Sequence, residues 1–487
     1  MLVLLNACLL ILFGLVGLYR PVWGFGLLIL LTQTLFNLSY YIAVPLPVGY
    51  IEPIEVLIAS IAIGVWRKRR APHKARGNGT RSLDRPSAAM RRVWLAMGCY
   101  IFWQSLCIVK ALGGPQGTEN FHFGVRFILS SCLPWVTLYI LAKMSIEDGH
   151  KVFKIAYALT IVTAIVHIAI QFTDYRPIMQ AAYYVIPKEA NDVAHFYEGQ
   201  LQEDFVRGLP QGAILMLFFL VLNVGQFIIN KARLRIGAIA ATMLIFSALF
   251  ITITRSFMIC FLAGTLICAA LALHAKCFNA KAAVRALAVC LTLVASAATY
   301  GAIRPGLLQT WSERIALLSG ADSQVFSAEN SVRGLENLAS IAAISDHPVM
   351  GLGMPYYPQE YSLREGTTSD VHPMLMVGLV GGIPGMLLIV WLQWELFFPC
   401  LRDLRQRRKA ARELVPFVSV LIMSMCVLNV LGAWGSISDT SIFSVVFFTN
   451  EMWSRRLQPS IAPSIALRGR GHARIQSTAY FDPHPVV

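Results

Sequence analysis

The sequence predicts an all-α polytopic membrane protein of about 12 to 13 transmembrane helices, and three observations carry that prediction. Of 487 residues, 56% are hydrophobic and only 14% charged, with a mean hydropathy of +0.61, a balance foreign to soluble globules. Apolar runs of roughly 20 residues, the length that spans a bilayer core, recur along the whole chain. Basic residues fall on alternate connections between those runs, which is the asymmetry that orients membrane helices.

Taken in order, Leu2 to Leu18, Val22 to Val44 and Ile51 to Trp66 make an N-terminal group of helices over 1–66. The first run lacks a basic leader and a small-residue cleavage site, so it reads as a retained helix and not a signal peptide. The segment 67–92, RKRRAPHKARGNGTRSLDRPSAAMRR, is a basic loop. The central group, 93–303, holds Val93 to Leu112, Val125 to Ala142, Ile155 to Phe172, Leu209 to Ile229, two crossings within 236–273, and Ala286 to Ile303, with a long loop at 174–207. A second long loop, 304–371, precedes the C-terminal group, 372–453, made of Met374 to Phe398, Leu414 to Trp434 and Ser441 to Trp453. The tail 454–487, like 67–92, is polar and rich in Pro, Gly, Ser and Arg, the composition of a disordered segment.

If 67–92 is cytoplasmic, alternation places residue 20 and the segments 143–154, 231–235, 276–285, 402–412 and 455–474 on the same side, and these hold 31 of the 41 Lys and Arg. The net charge of +15 is thereby explained by topology and needs no nucleic-acid partner. All ten cysteines fall in helices or at their cytoplasmic ends, as small packing residues, with no CxxC metal site.

Arg255 is the most informative residue. It interrupts an apolar stretch, ITITRSFMIC, inside a run nearly twice the length of one crossing. The run should fold as a hairpin with Thr254-Arg255-Ser256 at its turn, and a charge kept so close to lipid marks a functional site. In the loop 304–371, SVRGLENLASIAAISDHP places Leu335, Leu338, Ile341 and Ile344 at helical spacing after a possible Ser331 cap. This predicts an amphipathic helix on the membrane surface, stopped at His347-Pro348, with Arg333 in a first turn where a cation calls for a compensating anion. GLGMPYYPQEY follows, its Tyr356 and Tyr357 offering flat faces of the kind sugars stack on, and His372 stands at the mouth of the next helix. Bland roles compete: His347 as a helix stop, His167 as a packing residue, Arg255 as a snorkelling anchor, and Glu189, Asp192, Glu198, Glu203 and Asp204 as a solvated face.

These elements together resemble the O-antigen ligase and polysaccharide polymerase family of bacterial envelope biosynthesis. Its pattern is a Ser/Thr-Arg turn between membrane helices, an arginine, a helix, His-Pro-x-x-Gly-x-Gly, and a His-Asn at the next helix start followed by Gly-x-x-Gly. Here it appears as Thr254-Arg255-Ser256, Arg333, DHPVMGLG at 346–353, His372, and Gly378 to Gly385, with an upstream Arg-Gly matched loosely by Arg207-Gly208-Leu209-Pro210-Gln211. The resemblance covers about 205–395. One position departs, Pro373 standing where the family has asparagine.

The resemblance implies a GT-C-like fold with a large periplasmic loop in the bacterial inner membrane. It also implies transfer of an undecaprenyl-pyrophosphate-linked glycan to an acceptor sugar on a glycan or glycolipid, with inversion and without metal or other cofactor. The pyrophosphate leaving group would be met by Arg255 and Arg333, supported by Arg207 and Arg314, because guanidinium matches phosphate oxygens in a bidentate way. His372 would accept the proton of the acceptor hydroxyl. Glu52 and Glu55, flanking Pro53, are candidates to bind acceptor hydroxyls. Polymerase and ligase remain open, Pro373 leaning toward a polymerase or exopolysaccharide role, with chain-length or export proteins as partners. A lipid-linked-glycan flippase and a non-catalytic scaffold are the rival readings.

Overall fold

The computed structural model describes residues 2–34, 42–46, 49–70, 88–113, 121–170, 201–202, 205–206, 212–229, 236–252, 255–276, 278, 280–303, 311–312, 337–353, 373–406, 411–430, 445–446 and 448–452. Their helices, in order, are α1 (Leu2–Tyr19), α2 (Pro21–Ile29, continued by a π-helical turn Leu30–Thr34), α3 (Pro53–Arg70), α4 (Ala88–Leu112), α5 (Phe121–Lys143), α6 (Ile146–Ile170), α7 (Ala213–Ile229), α8 (Ile236–Ile251), α9 (Arg255–His274), α10 (Ala280–Ile303), α11 (337–346), α12 (Pro373–Gln406) and α13 (Ala411–Val430). Five carry apolar stretches long enough to cross a bilayer, Met90–Leu112, Ile146–Ala169, Ser256–His274, Ala283–Ile303 and Met374–Pro399. Six shorter apolar helices accompany them, so the chain is a multi-pass helical membrane protein.

Two small hairpins are the only strands among the described residues. β1 (Val44–Leu46) pairs antiparallel with β2 (Gly49–Ile51), and β3 (Leu201–Gln202) with β4 (Phe205–Val206). The run read as apolar through Val44 therefore does not stay helical to its end: Val44-Pro45-Leu46 is strand, because Pro45 cannot donate in a helix interior and a β-branched neighbour favours extension. The basic loop is shorter than its composition suggested, since α3 runs on through Arg70 and α4 begins at Ala88.

The bundle is knit by two kinds of contact. Around Phe153 of α6, the rings of Phe219, Phe417 and Phe448 lie 5.2 to 5.9 Å away, joining α6, α7, α13 and the helical residues 448–452. At the N-terminus α1, α2 and α3 meet through Gly17, Gly24 and Gly64, where backbones approach too closely for a Cβ.

Polar contacts join the helix ends. Arg67 lies 5.4 Å from the Tyr19 ring, Lys68 4.0 Å from Asp148, His150 2.8 Å from Glu451, and Arg92 3.3 Å from Glu395. Arg285 donates to the Phe227 carbonyl at 3.5 Å. Asn6 donates to the Ala43 carbonyl at 3.3 Å, close to the β1–β2 hairpin.

Candidate functional site

The double-length run does split into two helices. α8 ends at Ile251, and Thr252 closes it: its N–H and its hydroxyl both donate to the Leu249 carbonyl, at 3.2 and 2.7 Å. α9 then starts at Arg255; Phe246 of α8 meets Phe261 of α9 at 5.9 Å, and both helices pack on α7. No acidic residue stands in the first turn of α9, which Arg255 opens.

The chain after α10 is fixed to the end of α8 by a residue that sequence reasoning passed over. Trp311 stacks on Phe250 at 5.2 Å and 16°, and its Nε1–H donates to the Phe250 carbonyl at 3.1 Å. Ile168 at the end of α6 and Met258 of α9 pack on the cluster of Ile251 and Trp311, so α6, α8, α9 and residue 311 meet beside the start of α9.

The far part of the loop is fixed to α12. α11 ends at residue 346 with a turn at 347–350, as His347-Pro348 predicts. Of the expected apolar stripe, Ile344 is buried with Ala343 against Leu379 of α12, whereas Leu338 and Ile341 remain exposed and suit a bilayer surface. The turn then enters α12 itself. That helix is interrupted at Gly382 (φ 63, ψ −165), a conformation open only to glycine. Across the break, Ile383 N–H donates to the Pro348 carbonyl at 2.8 Å and Leu352 N–H donates to the Leu379 carbonyl at 2.6 Å. The Gly381 carbonyl accepts from Trp103 Nε1 of α4 at 2.7 Å. Gly351 and Gly353, both at positive φ, allow this contact: a Cβ would come within 2.3 Å of the Leu379 oxygen and 2.4 Å of the Cys107 oxygen respectively. The HPVMGLG segment is thus a backbone insert at a break in a helix, and the run Met374 to Phe398 is two helices joined at Gly382. Gly381-Gly382-Ile383-Pro384 was the available signal, two flexible residues ahead of one that removes a helical donor.

Glu52 and Glu55 have structural work. Glu52 precedes α3, and the Glu55 carboxylate accepts the Glu52 N–H at 3.1 Å, one half of a capping box ahead of Pro53 at the first helical position. Glu52 is buried, 5% exposed. Arg207, Arg314, Arg333, Tyr356, Tyr357 and His372 lie outside the described residues, as does the side chain of Arg255. Arg207 directly follows β4, Arg314 lies three residues after Trp311, and His372 immediately precedes α12. Among the described residues no three His, Cys, Asp or Glu side chains gather as a metal-binding group.

Comparison with known proteins gives neither a matching family model nor a matching characterised protein.

Proposed function

We propose that this protein is a membrane glycosyltransferase that moves an undecaprenyl-pyrophosphate-linked glycan onto an acceptor sugar hydroxyl at the periplasmic face of the bacterial inner membrane. The observation that carries the reading is Arg255 at the head of α9, in the turn to which Trp311 ties the outer loop. A lipid pyrophosphate leaving group needs cations at the bilayer boundary, and a helix N-terminus bearing an arginine supplies both dipole and charge. Arg333 and Arg314 belong to the loop so tied, and His372 to the start of the helix into which the same loop is inserted. In this reading the arginines hold the pyrophosphate, His372 takes the acceptor proton, and the sugar transfers in one displacement with inversion. The fold is then GT-C-like, of about 12 to 13 crossings, with 304–371 as its periplasmic loop.

The interruption of α12 favours a second reading, a lipid-linked-glycan flippase, because transporters use broken helices as binding sites near the midplane. Against it, the candidate cations and His372 are concentrated in one loop and at the helix starts beside it, which favours a surface reaction over passage.

The test is the glycan profile of a deletion strain complemented with wild type, Arg255→Ala, Arg333→Ala or His372→Ala at matched membrane levels. Accumulation of lipid-linked single repeats identifies a polymerase. Lipid-linked long chains beside unmodified core identify a ligase. Normal profiles from all three variants would reject the enzymatic reading.

A further inference from the structure

The backbone groups joined to the loop at the α12 break have a second possible pairing. Ile383 N–H and Leu379 C=O are four residues apart, the donor and acceptor of one ordinary α-helical bond. In the structure each is taken by the loop instead, Ile383 by Pro348 and Leu379 by Leu352. The Gly381 carbonyl, whose helical donor would be Gly385, is taken by Trp103. Withdrawal of the loop would let α12 close these bonds within itself. Pro384 has no N–H, so the Val380 carbonyl lacks its helical donor in either arrangement, and the helix has one bond fewer to lose by breaking here.

We propose that the joint between residues 347–353 and α12 is a two-state clamp: closed, the loop is inserted at Gly382 and holds α11 against α12; open, α12 completes its own helix and the segment 337–353 is released. Three features of the closed state match a reversible joint more than a permanent one. Its bonds are main-chain to main-chain, so release exchanges hydrogen bonds and strands no buried side-chain charge. The apolar seal is small, Ala343, Ile344 and Leu379, with Ala339, Leu352 and Leu375 beside it. The turn itself, His347 to Val349, is exposed, and only its continuation through Gly351 and Gly353 is buried, against α12 and α4.

Glycine is what permits the closed state. At Gly382 a Cβ would stand 2.5 Å from the Val349 oxygen and 2.6 Å from the Pro348 oxygen, in a conformation that L-residues avoid, whereas an alanine there suits the closed helix. If the reading under Proposed function holds, opening would also part the segment after Arg333 from the helix after His372, so the clamp would govern assembly of the site. The clamp itself does not depend on that reading.

The test uses the full-length protein in nanodiscs, with residue-resolved hydrogen exchange and a cysteine pair. Leu352 N–H is bonded only when the clamp is closed, while Ile383 N–H is bonded in both states. Gly382→Ala should speed exchange at Leu352 at least tenfold and leave amides 379–386 protected. Gly353→Ala approaches from the loop side, where its Cβ meets the Cys107 oxygen at 2.4 Å, and should reach the same end state. An Ile344→Cys/Gly378→Cys pair, at positions in contact across the joint, should form a disulfide in the wild-type background and fail to do so with Gly382→Ala. Fast exchange at both Leu352 and 379–386 would mean that the break melts and would overturn the proposal. So would unchanged protection and an intact disulfide in both glycine variants.

Discussion

Gly64→Ala should loosen the N-terminal helices, and the coordinates give its size. A Cβ at position 64 would lie 2.5 Å from the Leu18 oxygen and 2.8 Å from the Gly17 oxygen. The first distance falls 0.9 Å short of the 3.4 Å at which ordinary contact begins, and a main-chain oxygen inside a helix cannot swing aside. α1 and α3 must therefore separate, and a gap of roughly 0.5–1 Å forfeits a quarter to a half of each contact along their interface. Overpacking of this kind costs about 1–3 kcal/mol, and the better helix propensity of alanine returns about 1 kcal/mol, leaving a net loss of up to about 2 kcal/mol. Gly237→Ala is the matched control: nothing lies within 4 Å of a Cβ there, so only the propensity gain of up to ~1 kcal/mol applies. The assay is SDS titration of the purified protein followed by tryptophan fluorescence, where ~1.4 kcal/mol changes the unfolded-to-folded ratio tenfold. Gly64→Ala should unfold at lower SDS than wild type and Gly237→Ala at equal or higher SDS. If both variants moved in the same direction, the close approach at Gly64 would have no energetic meaning and the argument would be wrong.

Other perturbations probe separate contacts. Trp103→Phe keeps an aromatic ring but leaves the Gly381 carbonyl without its indole donor, which should cost ~1–3 kcal/mol in the same titration. Tyr157→Phe removes the hydroxyl that accepts from Asn223 Nδ2 at 3.0 Å; a loss of ~0.6–2 kcal/mol is expected, and adding Asn223→Leu should cost less than the sum of the two single changes. His150→Ala deprives the buried Glu451 carboxylate of a 2.8 Å partner at a cost of ~1–3 kcal/mol, and the further change Glu451→Gln should recover part of it, as read by apparent melting temperature.

Membrane class and the presence of many apolar helices were legible in the sequence, because length and hydropathy are averages over many residues and tolerate local error. The turn before Arg255 was legible for a sharper reason: a single charge in a double-length run has one low-cost position, the end of a helix. The stop at His347-Pro348 followed from proline chemistry. What escaped was contact between distant segments. Trp311 meeting Phe250 depends on 61 residues of intervening chain, and the insertion of 348–352 into α12 depends on main-chain groups that every residue carries. Gly381-Gly382 and Pro384 could have announced the break, but nothing local named the partner that fills it. The hydrogen bond from the Glu52 N–H to Glu55 was likewise not singled out, since a carboxylate three positions into a helix is as readily a cap as a ligand.

Trp311 on one side and Leu352 on the other act as fixed posts for the chain between α10 and α12. Each post bears on several helices at once, Trp311 on α6, α8 and α9 and the turn at 351–353 on α12 and α4. A push on either post is therefore shared among crossings far apart in the sequence, so that the connection braces the bundle it leaves and re-enters.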